Sequence, residues 1–184
     1  LVSDEPYRFL TYEGAEVPSI FPLYEQSIVA NSFSKNLSLA GERIGYLLLN
    51  PDMPEKKDLM DGLILANRIL GFVNAPAVGQ RLLEQTLHTQ VDVDIFIRRR
   101  ELMREVLDRA GYSYVPPRGG FYFFPAAPGG DDVAFVRSLQ EERILAVPGS
   151  GFGCPGHFRL SFCVPEEVIR NSGPGFARAR ENVS

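Results

Sequence analysis

Short apolar runs that end in polar residues constrain the fold of this chain more than any other feature. Residues 1–3, 27–31 and 44–49 are such runs, and each has the length of a β-strand. The runs are apolar throughout rather than alternating, which predicts strands of a largely parallel sheet that is covered on both faces. Since helical patterns follow these strands, we predict an α/β fold.

Three helices are predicted after the strands, over residues 54–70, 76–87 and 91–110. Apolar residues recur in the first of them at the spacing of one helix face. Gly71 and Gly111 follow the first and third, and glycine is the residue that most often terminates a helix. The third predicted helix is the longest and would connect two halves of the chain.

The pattern changes after Gly111 to short strands and turns, which indicates a second, α+β part. The predicted elements, in chain order, are a strand at 120–124, a helix at 131–143, strands at 144–147 and 158–164, and a helix that begins at 166. Gly173-Pro174-Gly175 should break or kink this last helix, because proline lacks the N–H group and its ring clashes with the preceding turn.

Composition excludes several classes of protein. The 19 Lys and Arg against 23 Asp and Glu give a net charge of −4, which argues against nucleic-acid binding. No apolar run approaches the ~20 residues that a membrane-spanning helix needs, and no secretory signal is visible. Two Cys and two His are too few for a disulfide scaffold or a zinc site. We therefore expect a cytoplasmic protein without a metal ion, and the strand-like start at residue 1 predicts a fragment that lacks its N-terminal part.

Lys35, which closely follows a predicted buried strand, is the most informative residue for function. Ser32 and Ser34 stand beside it, and Arg43 follows eight residues later. Hydroxyl groups and a guanidinium that converge on a lysine would bind a dianion such as phosphate. A lysine beside another cation can form a Schiff base with an aldehyde, and pyridoxal 5′-phosphate (PLP) carries both groups. A surface lysine with an ion-paired arginine explains the spacing equally well.

Asp4 and Tyr7 favour the PLP interpretation. Asp4 follows the first predicted strand, and ligands bind at the carboxyl ends of parallel strands. A PLP site needs a carboxylate on the pyridine nitrogen, and Tyr7 could place a phenol near the ring oxygen. A turn or helix cap is the alternative for Asp4. The side chain of the neighbouring Glu5 should point away.

Together these segments resemble the C-terminal half of the class I/II aminotransferases, PLP-dependent enzymes of fold type I. Residues 3–7 (S-D-E-P-Y) resemble the D-x-x-Y segment of that family, and residues 32–46 resemble its S-x-S-K-x-x-x-x-x-G-x-R-x-G signature. Residues 119–122 (G-G-F-Y) resemble a strand of its small domain, and residues 147–162 its final loop and strand. The resemblance implies that residues 1–92 complete the large PLP-binding domain, a mixed and mostly parallel sheet with helices, and that residues 93–184 form a small α+β domain.

The resemblance also implies roles for single residues. Lys35 would hold the cofactor covalently and shuttle a proton, Asp4 would pair with the pyridine nitrogen, and Tyr7 with the ring hydroxyl. Arg159 would bind the α-carboxylate of the substrate, although an ordinary salt bridge is the alternative. The residues implied to hold the phosphate are Ser32, Ser34 and Arg43. The substrates would be an amino acid and a 2-oxo acid, and the full-length enzyme would be a homodimer.

Two other functions remain open at this point. A PLP-dependent carbon–sulfur β-lyase would use the same lysine, aspartate and arginine, and a non-catalytic scaffold domain would need none of them. The fragment itself is expected to be inactive. Residues 149–156 are glycine-rich but lack the Lys-Ser/Thr of a phosphate loop, and Arg98-Arg99-Arg100 is interpreted as a solvent-exposed helix face. His157 is expected to be structural.

Overall fold

The computed structural model describes residues 1–183. These residues form two compact units, Leu1–Val91 and a second unit that begins at Asp92. No helix in the described chain is long and apolar enough to cross a membrane. The two units are described one after the other.

The first unit contains one three-stranded sheet. Its strands are β1 (Val2–Asp4), β2 (Ile28–Ser32) and β3 (Gly45–Leu49). They lie in the order β1-β2-β3, with β1 parallel and β3 antiparallel to β2. The three predicted strands are therefore confirmed to within about one residue. The sheet is mixed, as the resemblance implies, but one pair of each kind leaves no parallel majority among the described strands.

Two helices follow the sheet, α1 (Lys56–Ile69) and α2 (Ala77–Thr86), where they were predicted. Gly71, just beyond the end of α1, has a φ of +85°, a conformation that suits glycine. Gly79 is buried inside α2. A Cβ atom at position 79 would lie 2.3 Å from the side chain of Ile44, so the glycine permits α2 to approach the residue that precedes β3.

The prediction that these strands are covered on both faces is wrong for the described chain. Leu47 and Leu48 of β3 are 41% and 46% exposed. In addition, no residue of α1 is buried by its neighbours within residues 1–183. Some of the apolar side chains that predict a covered sheet are therefore exposed in this unit.

A buried asparagine organises the irregular segment between β1 and β2. Asn50 is 1% exposed. Its side-chain amide donates hydrogen bonds to the carbonyl oxygens of Phe21 (2.9 Å) and Tyr24 (3.1 Å) and to the hydroxyl of Ser27 (3.2 Å). Its side-chain oxygen accepts one from the N–H of Asp52 at 3.0 Å. One side chain thus bonds to backbone groups that precede β2 and to a backbone group that follows β3 in the sequence.

The second unit packs helices against a small antiparallel sheet. Its elements are α3 (Val93–Arg109), β4 (Tyr122–Phe123), α4 (Asp132–Glu141), β5 (Val147–Pro148), β6 (Phe158–Ser161) and α5 (Glu166–Glu181). The strand order is β4-β6-β5. Tyr112 lies in an aromatic core, edge-on to Phe158 and Phe176, and its hydroxyl donates to the carbonyl of Phe176 at 2.9 Å. Burial raises the pKa of this tyrosine far above its usual value.

The predicted strand at 144–147 is wrong except for its last residue. The N–H of Ile144 donates to the carbonyl of Leu139 at 2.9 Å, so this residue completes the turn that ends α4. Arg143, with a φ of +61°, makes that turn possible. Leu145 is 81% exposed. The N–H group of Ile144, which a strand would use for pairing, is therefore bonded to the end of α4 instead.

The prediction that Gly173-Pro174-Gly175 would break or kink the last helix is wrong as regards the break. α5 is continuous through Pro174, and its buried face includes Ile169, Gly175 and Phe176. A Cβ atom at position 175 would lie 3.1 Å from the side chain of Ile144, so the glycine fits a closely packed position. Tertiary contacts here outweigh poor helix propensity.

The interpretation of Arg98-Arg99-Arg100 as a solvent-exposed face is wrong for Arg100. This residue is 5% exposed. Its guanidinium donates to the carbonyl of Pro117 at 3.1 Å and to the carboxylate of Glu101 at 2.8 Å. The contact with Pro117 comes from a distant part of the unit, which a local charge pattern does not reveal.

Candidate active site

The carboxyl ends of the parallel strands β1 and β2 lie at one edge of the first unit's sheet. Asp4 ends β1 and pairs in register with Ala30, and Ser32 ends β2 two residues further on. Because side chains alternate along a strand, Ser32 projects from the same face as Ala30. Asp4 and Ser32 line one cleft of about 500 Å³, together with Gly45 and with residues of α1.

Lys35 lies in the turn that follows β2. The turn is fixed by the Phe33 N–H, which donates to the carbonyl of Ile44, and by the Leu39 N–H, which donates to the carbonyl of Phe33, each at 3.2 Å. The half-buried side chain of Lys35 reaches the turn after β1, where its Nζ lies 5.8 Å from the centroid of the Tyr7 ring. The structure therefore brings together two of the residues that the sequence singled out. Ser34 is half-buried in the same turn.

Glu5, next to Asp4, is engaged within its own turn. It is 9% exposed, and its carboxylate accepts hydrogen bonds from the Ser3 hydroxyl at 2.8 Å and from the Arg8 guanidinium at 2.6 Å. Asp4, in contrast, is exposed at the end of its strand. Of the two carboxylates, Asp4 is the one that lines the cleft.

The sequence predicts that the Arg43 guanidinium converges on the lysine, whereas its hydrogen bond in the structure lies within its own turn. It follows the 3-10 helix Ala40–Glu42 with a left-handed φ of +53°, and its side chain is exposed. Within residues 1–183, the hydrogen bond of its guanidinium is to the carbonyl of Ala40 at 2.9 Å. The difference arises because the left-handed residue turns the exposed side chain back over its own 3-10 turn.

The glycine that follows Arg43 in the signature has a steric explanation. Gly45 pairs in register with Ser32, and a Cβ atom at Gly45 would lie 2.7 Å from the backbone oxygen of Asn31, the residue before Ser32 in β2. Backbone cannot give way as a flexible side chain can. Gly45 is therefore required for β3 to run close beside the segment that leads into Lys35.

Arg159 belongs to β6 of the second unit. Its guanidinium carbon lies 4.2 Å from the centroid of the Phe152 ring and 4.6 Å from that of Tyr122. No carboxylate of residues 1–183 forms an ion pair with it, so the alternative of an ordinary salt bridge is wrong for the described chain. Arginine stacked on aromatic rings keeps its N–H groups available in the plane of the guanidinium.

Two further features of the second unit were missed in the sequence. The carboxylate of Asp132 accepts hydrogen bonds from the backbone N–H groups of Ser150 and Gly156, whereas Asp131 alone caps α4. The Sγ atom of Cys154 lies 3.5 Å from the Nδ1 atom of His157. The pair Asp131-Asp132 signalled a helix cap, but nothing local shows that the second carboxylate serves a distant loop. Both cysteines are free thiols, and no cluster of metal-binding side chains occurs in the described chain.

The chemistry of the groups at the β1-β2 edge fits PLP. Asp4 and Ser32 offer a carboxylate and a hydroxyl at the ends of neighbouring strands. Lys35 offers a primary amine in the turn after β2, and the phenol of Tyr7 lies beside this amine. PLP offers a pyridine nitrogen, a phosphate, an aldehyde and a ring hydroxyl, for which these groups are suitable partners. Gly45 keeps the backbone close at this edge.

Comparison with known proteins defines the class. The family "Aminotransferase class I and II" matches residues 1–172, and the chain belongs to this family. PLP is the cofactor of the family. The predicted fold class is confirmed, because the solved structures that the chain resembles are aminotransferases.

Individual relatives are similar over nearly the whole chain. The aspartate aminotransferase of Thermotoga maritima is 31% identical over 92% of this chain and 44% of its own length. The (5-formylfuran-3-yl)methyl phosphate transaminase of Methanocaldococcus jannaschii is 30% identical over 98% of this chain and 49% of its own. A crystal structure of an aminotransferase from Eubacterium rectale, 38% identical, superposes with a TM-score of 0.93 over all of this chain and 46% of that one. The chain thus spans about half the length of the relatives it matches.

Proposed function

We propose that this chain is the C-terminal part of a PLP-dependent aminotransferase that transfers an amino group between an amino acid and a 2-oxo acid. The observation that carries the proposal is the position of Lys35, which lies at the carboxyl edge of a parallel strand pair with its amine beside Tyr7. Asp4 and Ser32 line the adjoining cleft. The share of the relatives that the chain covers, 44% to 49% for those named above, supports its assignment to part of a longer enzyme.

The candidate site residues of the first unit would have distinct roles at the cofactor. PLP, when bound, acts as an electron sink for the reacting carbon. Asp4 keeps the pyridine nitrogen protonated, and Tyr7 donates a hydrogen bond to the ring oxygen. Lys35 holds the cofactor through Nζ, and this nitrogen moves the proton at the substrate Cα. The groups proposed to hold the phosphate are Ser32, Ser34 and Arg43.

Arg159 would recognise the substrate. Its guanidinium can donate two parallel hydrogen bonds to an α-carboxylate. Phe152 and Tyr122 support its orientation through their rings. Because the α-carboxylate is common to all amino acids, Arg159 fixes the substrate class and leaves side-chain selection to other residues.

The division into two units supports a domain assignment. We propose that residues 1–92 complete the large PLP-binding domain and that residues 93–184 form the small domain, with the units dividing between Val91 and Asp92. We propose a homodimer for the full-length enzyme on the family resemblance, which light scattering of that enzyme would test.

The activity is tested in the full-length protein that contains this chain, loaded with PLP. A panel of amino donors is supplied with 2-oxoglutarate, and glutamate is measured. We expect glutamate formation, with aspartate or an aromatic amino acid among the donors. Lys35→Ala should abolish both activity and the visible absorbance of the bound cofactor, whereas Lys57→Ala, which removes an exposed lysine paired with Asp61, should change neither.

Three outcomes of this experiment would contradict the proposal or its assignment of Lys35. Release of pyruvate and ammonia from a β-substituted donor without any 2-oxo acid, as the dominant activity, would indicate a β-lyase. Failure of the wild-type protein to bind PLP would indicate a scaffold. Retention of absorbance and turnover by Lys35→Ala would show that another residue has the role assigned to this lysine.

A further inference from the structure

The loop between β5 and β6 has little intrinsic rigidity. Four of its eight residues, 149–156, are glycine. Its internal backbone hydrogen bonds are those of short turns, such as the Cys154 N–H to the Gly149 carbonyl at 2.9 Å. Glycine has the largest conformational freedom in the unfolded chain, so such a loop is ordered only when other residues hold it.

Both ends of the loop are held by backbone bonds, from the Gly149 N–H to the His157 carbonyl at 2.7 Å and from the Ala127 N–H to the Gly156 carbonyl at 2.8 Å, and one carboxylate outside the loop adds a bond near each end. Asp132, the first residue of α4, is 5% exposed. One of its oxygens accepts a hydrogen bond from the Ser150 N–H at 2.8 Å, and the other accepts one from the Gly156 N–H at 3.2 Å. These bonds, that from Ser150 foremost, lower the pKa of Asp132, so the carboxylate remains ionised at neutral pH.

The loop carries Phe152, which contacts Arg159. Phe152 belongs to the 3-10 helix Gly149–Phe152, in the part of the loop that Asp132 holds through Ser150. Its ring is 47% exposed, lies edge-on to the ring of Phe124 with centroids 6.2 Å apart, and lies 4.2 Å from the Arg159 guanidinium carbon. The position of the ring therefore depends on the conformation of the loop.

We propose that Asp132 is a positioning residue for substrate recognition: by fastening both ends of the 149–156 loop, it holds Phe152 against the guanidinium of Arg159. The inference rests on the proposed function, in which Arg159 binds the α-carboxylate. A bidentate pair requires the guanidinium plane to face the carboxylate, and misorientation of a binding group reduces the rate of reaction. Asp132 acts through the loop backbone, with no ion pair to Arg159 within residues 1–183.

The test compares two neighbouring aspartates in the full-length, PLP-loaded enzyme. Asp132→Asn retains one acceptor oxygen and places an amide where the second N–H needs an acceptor. We expect KM for α-amino acids to rise roughly tenfold, which corresponds to about 1.4 kcal/mol, with a much smaller change in kcat. Asp131→Asn is the matched control, because asparagine caps a helix as well as aspartate does.

Three further measurements separate positioning from a general loss of stability. The half-reaction of an amine that lacks the α-carboxylate should be equally slow in the wild type and in Asp132→Asn, since it does not use Arg159. Phe152→Ala combined with Asp132→Asn should be no worse than Phe152→Ala alone, because the two residues act in one chain of contacts. The backbone N–H groups of Ser150 and Gly156 should exchange with solvent faster in Asp132→Asn and not in Asp131→Asn.

A second variant removes the same contact from the loop side if Asp132→Asn does not fold. Ser150→Pro deletes the N–H that donates to Asp132 and should raise KM in the same way. Equal KM values for Asp132→Asn and Asp131→Asn in an active enzyme, or additive effects in the double variant, would overturn this inference alone. Absence of transamination in the wild type would instead overturn the proposed function, and the assignment of Asp132 with it.

Discussion

The Nζ of Lys35 lies 5.8 Å from the centroid of the Tyr7 ring, and the two residues belong to turns that follow different strands. Tyr7 comes after β1 and Lys35 after β2. The two strands are parallel, so both turns emerge at the same edge of the sheet. An antiparallel pairing would have placed the turns at opposite edges. The parallel register is thus the structural basis of the candidate active site.

Arg43→Ala should weaken the binding of PLP to the full-length enzyme. Loss of a charge-assisted hydrogen bond to the phosphate would cost about 1.5–3 kcal/mol, which is roughly a 10- to 150-fold rise in the dissociation constant. Titration of the apoenzyme with PLP measures this. Arg81→Ala, which removes an exposed arginine paired with Glu84, should leave the constant unchanged. Unchanged affinity of Arg43→Ala for PLP would contradict the role of Arg43 at the phosphate. It would agree with the observed bond of the wild-type guanidinium to the Ala40 carbonyl.

Gly45→Ala and Gly62→Ala should change stability in opposite directions. A Cβ atom at position 45 would lie 2.7 Å from the Asn31 oxygen, so strands β2 and β3 must shift, at a cost of about 1–3 kcal/mol. Position 62 lies inside α1 with open space around it, so alanine should stabilise the helix by about 0.5–1 kcal/mol. Urea denaturation measures both. A neutral Gly45→Ala would contradict the close approach of the two strands.

Asn50→Ala should lower the free energy of unfolding by about 1–3 kcal/mol, because it leaves buried backbone groups without partners. The amide of Asn50 bonds to the carbonyl groups of Phe21 and Tyr24, and its oxygen accepts from the Asp52 N–H. The Ser27 hydroxyl also donates to the Tyr24 carbonyl, so the groups that lose their partner are the Phe21 carbonyl and the Asp52 N–H. Asn67→Ala, at an exposed position of α1, is the control and should be neutral or slightly stabilising. Similar denaturation midpoints for the two variants would contradict the proposed role of Asn50.

The ion pair between Glu142 and Arg178 should make the stability of the second unit depend on pH. The carboxylate of Glu142 accepts a hydrogen bond from the Arg178 Nε at 2.9 Å, and this bond lowers the pKa of Glu142. A lowered carboxyl pKa contributes stability above the unfolded value, about 4.3, that is lost as the pH falls through the folded value. The stability difference between wild type and Glu142→Gln should therefore be constant near neutral pH and disappear in acid.

Thermal unfolding between about pH 3 and pH 7 measures this difference, over the range in which carboxyl groups titrate. Glu84→Gln is the control, because Arg81 and Glu84 are both largely exposed and such pairs contribute little. A difference for Glu142→Gln that persisted unchanged at the acid end would show that packing, rather than charge, connects the two residues.

The sequence predicts what depends on local patterns and fails where distant groups decide the conformation. Strand β2 follows from its own apolar run, and the end of α3 follows from Gly111. The apolar run predicts a strand at Ile144, because a run of this kind does not reveal the hydrogen bond to the Leu139 carbonyl. The charge pattern predicts that Arg100 is exposed, because its acceptor, the Pro117 carbonyl, lies in another segment.

The same distinction holds at the candidate site. Strand β2 and the turn that carries Lys35 follow from local patterns, whereas the contact between Lys35 and Tyr7 depends on the parallel pairing of two strands that are distant in sequence. The loop contact of Asp132 and the turned-back side chain of Arg43 depend on tertiary hydrogen bonds and on a left-handed backbone, respectively. Neither leaves a periodic or compositional signal.

Pro174 and Gly175, in the middle of α5, have a consequence for the order in which the second unit is built. Relative to alanine, proline and glycine disfavour a helix by about 3 and 1 kcal/mol, so residues 166–181 alone should be mostly unfolded by circular dichroism. Phe176 of the same helix is fully buried in the aromatic core. We therefore expect the aromatic core to close only once α5 has docked, because the helix is not stable before its buried face finds that core.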